Sequence, residues 1–252
     1  MIFDTTHTLY ILFSLLFTVC ILFISKKFIK SEKNKLRFLR FFSLGTFLLH
    51  ISIIWTTYLT SENNYGYAYD NILFPIYFCN LAMYCLLICS FINTKKKYYA
   101  AFATFTAWAG ILGSLISLFY PDYYLNTPTL KDWSVLKSML SHSTMLIGTL
   151  YLFVGNYIKL DIKNLLYYSY GLIGCLIVGL FNNLFLGLFG RDMNSMYLKR
   201  PPLDDVPYLN FITIPLLMLF IIFISILVKR LIVIRYKKQE VSWDAPLSEI
   251  ET

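Results

Sequence analysis

A series of long apolar runs constrains the fold of this chain more than any other feature. A helix needs about 20 residues to cross the hydrocarbon core of a bilayer. Seven runs approach or exceed that length, and short polar connections separate them. They cover residues 8–25, 38–59, 71–92, 99–119, 134–156, 164–189 and 207–234. The pattern predicts an all-α membrane protein, a bundle of seven transmembrane helices.

The distribution of charge supports this interpretation and predicts the orientation of the helices in the membrane. Only 14% of the residues are charged, whereas soluble domains average roughly 25%. The net charge of +8 comes from lysines and arginines in loops, so it indicates membrane topology and excludes a nucleic-acid partner. With seven spans, 17 basic residues lie on one side and 4 on the other. This bias predicts an outside N-terminus and a cytoplasmic C-terminus, with a transmembrane domain over 1–236 and a short cytoplasmic tail over 237–252.

Polar residues interrupt several of the runs at one predicted depth. The third run, NILFPIYFCNLAMYCLLICSF, contains Pro75, Tyr77, Cys79 and Asn80 within six residues. At about 1.5 Å per residue, Cys79 and His142 both lie roughly 12 Å below the outer end of their helices. Other polar residues at that level are His50, Asn182 and Asn183. Because unpartnered polar groups are costly in hydrocarbon, we expect these side chains to line one pocket open toward the outer leaflet. The alternative is that they only join helices by hydrogen bonds.

The residue types in this layer restrict the chemistry. The seven runs contain no aspartate or glutamate, which argues against a carboxylate-based proton pump. A thiol becomes a strong nucleophile when an imidazole removes its proton, so Cys79 with His142 is the candidate catalytic pair. Asn80, Asn182 or Tyr77 would donate to the oxyanion, and His50 is a reserve base. The competing use is a zinc site of His50, His142 and Cys79, for which no ligand spacing is found. We therefore predict no metal and no cofactor.

The remaining cysteines have a simpler interpretation. Cys20, Cys85, Cys89 and Cys175 lie inside apolar runs, where we expect free, buried thiols that serve packing.

Several short motifs resemble a known family. FDTTHTLYILF with His7, FPIYFCNLA, SHSTMLIGTLYLF and NNLFLGLFGRDMNSMYLKRPP together resemble the YwaF-type bacterial integral membrane proteins. That family in turn resembles the eukaryotic TMEM-type acyltransferases of ether phospholipids. The resemblance implies that Cys79 carries the acyl group and His142 is the base. The chain departs from the bacterial pattern at Tyr77, where that pattern prefers histidine, and at Ser195, where it has tyrosine.

A basic loop outside the bundle is a candidate head-group site. Arg191, Lys199 and Arg200 lie on the side where basic residues are disfavoured, and such side chains bind phosphate. The alternative is ordinary pairing with Asp192, Asp204 and Asp205.

These observations predict a membrane-embedded acyltransferase or lipid-ester hydrolase in the bacterial plasma membrane, acting on a phospholipid or another lipid. The second hypothesis is a transporter or small-molecule-binding membrane protein that uses the same pocket. Its flexible points would be Pro75, Pro215, Gly171, Gly174 and Gly179. The third is a structural or sensory partner. No feature of the sequence identifies a protein partner.

Overall fold

The computed structural model of the protein describes residues 3–60, 70–121, 124–125, 127–201, 207 and 210–243. These residues form seven α-helices and one short 3₁₀ helix. The α-helices are α1 (Thr5–Phe28), α2 (Glu32–Thr60), α3 (Phe78–Phe91), α4 (Tyr99–Phe119), α5 (Trp133–Val154), α6 (Lys163–Gly187) and α7 (Thr213–Trp243). The 3₁₀ helix is Ser195–Tyr197. The all-α architecture predicted from the sequence is confirmed.

Five of these helices are long and apolar enough to cross a membrane, namely α1, α2, α4, α6 and α7. The other two differ from them in length or in composition. Helix α3 has 14 residues, or about 21 Å at 1.5 Å per residue. Helix α5 has 22 residues but carries Lys137 and several serines. The described chain is therefore a multi-helix membrane protein, while the count of seven spans and the orientation stay predictions.

Helices α4 and α5 form the centre of the bundle. Helix α5 packs against α1, α2, α3 and α4, and α4 also packs against α3 and α6. The most apolar 18-residue window of α4 is 67% buried, against 17% for α7. The peripheral helices α1, α6 and α7 instead expose large apolar side chains along their lengths. A lipid environment explains such exposed apolar faces.

The third apolar run is not one continuous helix, so the prediction of a helix over 71–92 is wrong at its outer end. Residues 70–73 make a single helical turn, residues 74–77 leave the helix, and α3 begins at Phe78. Pro75 explains the break, because it has no N–H and disfavours helical geometry at Phe74 before it. Cys79 therefore lies in the first turn of α3 and not in the middle of a helix.

Other helices begin or end at residues different from those predicted, while the order of the helices along the chain is as predicted. Helix α2 begins at Glu32, inside the basic connection, and α7 begins at Thr213 and continues through Trp243. Helix α7 thus extends beyond residue 236, where the predicted tail begins. The rest of that tail lies outside the described residues.

The break before α3 leaves backbone carbonyls without helical partners, and side chains of α6 and the 3₁₀ helix satisfy them. Asn182 donates through Nδ2 to the Pro75 carbonyl at 3.2 Å and to Ser195 Oγ at 3.1 Å. Ser195 Oγ donates to the Ile76 carbonyl at 3.0 Å, and the Met196 N–H donates to the same carbonyl at 2.7 Å. Broken helices are tolerated at membrane depth when the freed groups are bonded inside the protein.

The two strained residues of the 3₁₀ helix lie against this break. Met196 and Tyr197 have φ values of 55° and 56°, a left-handed conformation that costs L-residues about 1–2 kcal/mol each. Asn183 holds the segment by accepting from the Ser195 N–H at 2.7 Å and donating to the Ser195 carbonyl at 3.3 Å. Such strain often marks a functional region.

Two of the three α6 glycines serve close packing and not flexibility. A Cβ at Gly171 would lie 1.9 Å from the Phe105 ring, and one at Gly179 would lie 2.7 Å from Leu198. Of the three glycines, only Gly174 has open space where a Cβ would lie.

All five cysteines are free, as predicted. Cys85, Cys89 and Cys175 are buried, in agreement with a packing role, but Cys20 is exposed. The expectation that Cys20 packs inside the bundle is therefore wrong, because α1 turns that face outward.

Candidate functional site

A cavity of about 290 Å³ lies where α4 ends and α3, α5 and α7 begin, and His50 reaches it from within α2. Five of the seven residues predicted for the catalytic pair and its support line it, namely His50, Tyr77, Cys79, Asn80 and His142. Pro215, Met196 and Tyr197 also line it. The polar layer inferred from helical depth is thus largely one cavity. Whether its residues catalyse a reaction stays a prediction.

The two ring nitrogens of His142 have different surroundings. Its Nδ1 lies 2.7 Å from the Ser138 carbonyl. A carbonyl oxygen only accepts, so Nδ1 carries the proton in the neutral ring and Nε2 carries the lone pair. Nε2 is buried and has no hydrogen-bond partner among the described residues. An oriented imidazole with a free lone pair is the form that a general base requires.

The His50 ring is also held by a backbone hydrogen bond, but by a different segment of the chain from the one that holds His142. Its ring hydrogen-bonds with the backbone of Asn71, and its Nε2 also lacks a partner within the described part of the chain. The edge of the ring packs against Tyr84, with ring centroids 6.1 Å apart. His50 therefore remains a second candidate base on the same cavity.

Cys79 lies at the positive end of a helix. The first backbone hydrogen bond of α3 runs from the Leu81 N–H to the Tyr77 carbonyl at 3.1 Å, so Cys79 is within the first turn. Its thiol donates to Asn80 Oδ1 at 3.6 Å and also interacts with the Ser117 hydroxyl. The helix dipole favours negative charge at this position, on sulfur or on a nearby carbonyl oxygen.

Helix α4 approaches Cys79 through a glycine. A Cβ built on Gly113 would lie 3.1 Å from the Cys79 Cβ and 3.2 Å from its Cα. Gly113 therefore permits the contact of α4 with the first turn of α3, and it lines the same cavity.

Asn182 and Asn183 are not among the residues lining the cavity. Their amides are instead engaged with Ser195 and the break before α3. The predicted oxyanion contact of Asn182 is not seen, because its amide bonds the Pro75 carbonyl. For these two residues, the alternative of interhelical hydrogen bonding describes the contacts. Asn80 donates to the Asn71 side chain while it accepts from the Cys79 thiol.

Tyr77, the departure from the bacterial pattern, forms part of the cavity wall. Its ring stacks on Tyr197, with centroids 5.5 Å apart and an interplanar angle of 27°. Because Tyr197 belongs to the strained 3₁₀ helix, this stacking joins the break before α3 to that segment.

The three predicted head-group residues are all engaged by carboxylates. Arg191 lies 2.6 Å from Asp70, and Lys199 and Arg200 lie 2.7 and 3.6 Å from Asp192. The hydrogen bond from Lys199 lowers the pKa of the exposed Asp192. This geometry is the ordinary pairing considered as the alternative, although Asp204 and Asp205 lie outside the described residues. Head-group binding by this loop stays a prediction.

Sequence reasoning missed Lys137. It is not among the predicted site residues, yet it is only 5% exposed and lines the cavity. Lys137, Ser138, Ser141 and His142 all reach the cavity from α5. A signal was present in the spacing, because residues four positions apart share a helical face, and Ser141 and His142 lie four positions after Lys137 and Ser138.

The described residues contain no group of three histidine, cysteine, aspartate or glutamate side chains placed to hold a metal. The zinc alternative for His50, Cys79 and His142 therefore receives no geometric support.

A helical bundle with apolar outer helices and a polar cavity between its inner ones defines a multi-pass membrane protein. A model of the TMEM164 family matches residues 2–246, so the chain belongs to the TMEM164 family. Comparisons with curated proteins and with solved structures give no significant match. The narrower resemblance to YwaF-type proteins stays a prediction.

Proposed function

We propose that this chain transfers or hydrolyses an acyl group of a lipid, with Cys79 as nucleophile and His142 as base. The observation that carries the proposal is the buried Nε2 of His142, which has no hydrogen-bond partner in the described part of the chain and lies on a cavity that Cys79 also lines. The described structure shows no hydrogen bond between the two residues, so the proposal requires the thiol and the imidazole to approach each other when the lipid binds, as in thiol-dependent acyl transfer. The acyltransferase resemblance suggests the same pair.

The proposed reaction has two stages. The Cys79 sulfur attacks the ester carbonyl while His142 Nε2 takes the thiol proton. The carbon–oxygen ester bond then breaks, and the leaving alcohol receives that proton from His142. In the second stage, an alcohol or a water molecule attacks the thioester, and His142 takes its proton and returns it to the Cys79 sulfur. An alcohol acceptor gives acyl transfer, and water gives hydrolysis.

The charge that develops on the carbonyl oxygen needs stabilisation. The first turn of α3 supplies backbone N–H groups and the positive end of its dipole beside Cys79. Since Asn182 is engaged elsewhere, these backbone groups take the oxyanion role that the sequence suggested for it.

An intact-mass spectrum of the protein in its native lipids tests the proposal. We expect a fatty-acyl increment on the wild-type chain that disappears in Cys79→Ser and persists in Cys85→Ser, the matched buried control. A wild-type chain without any increment, with Cys79 alkylated by iodoacetamide as slowly as Cys85, would reject the acyl-enzyme. The transporter or small-molecule-binding function would then be favoured.

We also propose that all seven α-helices cross the bacterial plasma membrane, with the N-terminus outside. The internally bonded break at residues 74–77 would complete the crossing that the short α3 begins. In a Cys20→Ser background, a membrane-impermeant maleimide applied to intact cells should label Lys131→Cys and not Lys95→Cys. The opposite labelling would reverse the orientation.

A further inference from the structure

His7 differs from the two cavity histidines because both of its ring nitrogens are hydrogen-bonded. Its Nε2 lies 2.8 Å from the Leu118 carbonyl, and its Nδ1 accepts from the Phe3 N–H at 3.3 Å. A carbonyl oxygen only accepts, so Nε2 carries the proton and the ring is neutral. The side chain is buried. An imidazole whose lone pair is already engaged is a structural connection and not a base.

The carbonyl that His7 binds lies at the cavity end of α4. Leu118 is in the last turn of that helix, where carbonyls have no partner within the helix. His7 satisfies this carbonyl from α1, 111 positions earlier in the chain. Ser117 and Tyr120, on either side of it, line the cavity, and the Ser117 hydroxyl interacts with the Cys79 thiol. The hydrogen bond from His7 therefore holds the part of α4 that touches the proposed nucleophile.

The same N-terminal segment is also connected to α5. The Tyr124 hydroxyl donates to the Asp4 carboxylate and lies 2.8 Å from both of its oxygens. The Tyr124 ring packs against the His7 ring, with centroids 5.2 Å apart. It also forms a small buried cluster with Val135 and Met139 of α5. We call Asp4, His7 and Tyr124 the N-terminal brace, because together they join the end of α4 to the beginning of α5.

Further along α1, two hydrogen bonds fix this helix beside the proposed base. The Tyr10 hydroxyl lies 3.0 Å from Ser143 Oγ, and Ser14 donates to Ser143 Oγ at 2.7 Å. Ser143 directly follows His142 in α5. A shift of α1 along α5 would break these bonds. The contact of His7 with α4 is thus made from a helix whose position relative to His142 is already fixed.

We propose that the N-terminal brace positions the Cys79 thiol relative to His142 by holding the outer end of α4 against α1 and α5. Displacements near 1 Å at a reacting centre have large effects on rate, so a support of this kind bears directly on catalysis. His7 is in this view a positioning residue and does not touch the reacting atoms. Its effect on the reaction rests on the proposed acyl transfer, whereas the holding of α4 does not.

Three variants separate the hydrogen bonds of His7 from the space that its ring fills. His7→Phe keeps a planar ring and removes both nitrogens. His7→Gln restores a donor, because the glutamine Nε2 reaches about as far as the imidazole Nε2. Thr8→Ala is the matched control, because Thr8 is exposed in the same helical turn and its hydroxyl donates to the Phe3 carbonyl.

Hydrogen–deuterium exchange in detergent tests the brace without relying on turnover. We expect His7→Phe to raise amide exchange over residues 114–121 by about tenfold, since the end of α4 loses a buried hydrogen bond. Exchange over α6, which does not contact the brace, should stay at the wild-type level. His7→Gln should restore most of the protection, and Thr8→Ala should exchange as the wild type does.

Acylation kinetics test whether the brace serves the site. In His7→Phe we expect the maximal rate of Cys79 acylation to fall by roughly tenfold to a hundredfold. The lipid concentration that gives half of that rate should stay within about twofold of the wild type, because an interaction that only orients reacting groups changes kcat more than KM. Tyr124→Phe, which keeps the ring and removes the donor to Asp4, should give a smaller loss in the same direction.

Several outcomes would overturn the inference. Wild-type exchange over residues 114–121 in His7→Phe would show that His7 does not hold the end of α4. Faster exchange in every helix would indicate a general loss of stability in place of a local support. A His7→Gln variant as unprotected as His7→Phe would assign the effect to the shape of the ring and not to the bond with Leu118. Faster local exchange in His7→Phe with wild-type acylation would separate the brace from the thiol.

The two proposals fail separately. Exchange at the end of α4 that depends on His7, in a protein that never acquires an acyl increment, would reject the acyl-enzyme and keep the brace. In that case, a Cys79 alkylation rate altered in His7→Phe but not in Thr8→Ala would still show that the brace positions the thiol. An acyl increment on Cys79, together with wild-type exchange in His7→Phe, would keep the acyl-enzyme and reject the brace.

Discussion

Replacing His142 with alanine is expected to slow acylation of Cys79 by roughly 10²–10⁴-fold, the usual contribution of a general base. The ring is held by the Ser138 carbonyl, which fixes the lone pair on Nε2. Without that nitrogen, the thiol loses the oriented proton acceptor that the proposal assigns to it. The measurement is the first-order rate of appearance of acylated protein after a lipid donor is added, followed by intact mass.

His50→Ala is the matched control for this prediction, because His50 is also buried, lines the same cavity and has an Nε2 without a hydrogen-bond partner among the residues that the structure describes. We expect it to change the acylation rate by less than tenfold, with thermal unfolding of both variants near that of the wild type. A larger loss in His50→Ala than in His142→Ala would show that the base is assigned to the wrong histidine. Wild-type rates in both variants would eliminate imidazole catalysis.

Replacing Gly113 with valine is expected to lower the acylation rate by about a hundredfold, since displacements near 1 Å at a reacting centre have effects of this size. Even a single Cβ at this position would lie 3.2 Å from the Cys79 Cα, and the backbone there cannot turn aside as a side-chain tip would. The added methyl groups of valine therefore displace the first turn of α3 relative to α5. Gly113→Ala should give a smaller loss in the same direction.

Gly174→Val is the matched control, because a Cβ at that exposed helical position meets nothing within 4 Å. The measurement compares acylation rates with thermal unfolding for all three variants. If Gly113→Val acylates at the wild-type rate while remaining folded, the contact of α4 with Cys79 has no part in positioning the thiol. Equal losses in Gly113→Val and Gly174→Val would indicate a general effect of valine in these helices.

Hydropathy and helical rise were sufficient to predict much of the site. The rise per residue placed His50, Cys79 and His142 at one depth, and all three line one cavity. That inference worked because the membrane fixes a common axis, so depth follows from sequence position alone. The same reasoning placed Asn182 and Asn183 at that level, but depth does not specify which partner a side chain meets.

The break at Pro75 shows where local reasoning fails. A proline in a helical run leaves backbone groups without helical partners, but the residues that bond those groups lie more than 100 positions away, at Asn182 and Ser195. Such pairing depends on how α6 and the 3₁₀ helix pack against the break, which no local pattern records. The partial helix that results places Cys79 at a helix N-terminus, a setting that a continuous helix over 71–92 would not provide.

The sequence by itself determined that this chain is an all-α membrane protein with a polar layer near one end of its helices. Composition and apolar run length decide that, because a bilayer core accepts few backbone arrangements. Only the tertiary structure decided that His142 Nε2 has no hydrogen-bond partner within the described residues, that Arg191 pairs with Asp70, and that Lys137 turns inward to the cavity. These outcomes depend on the rotation of each helix about its axis, which is set by packing against neighbouring helices.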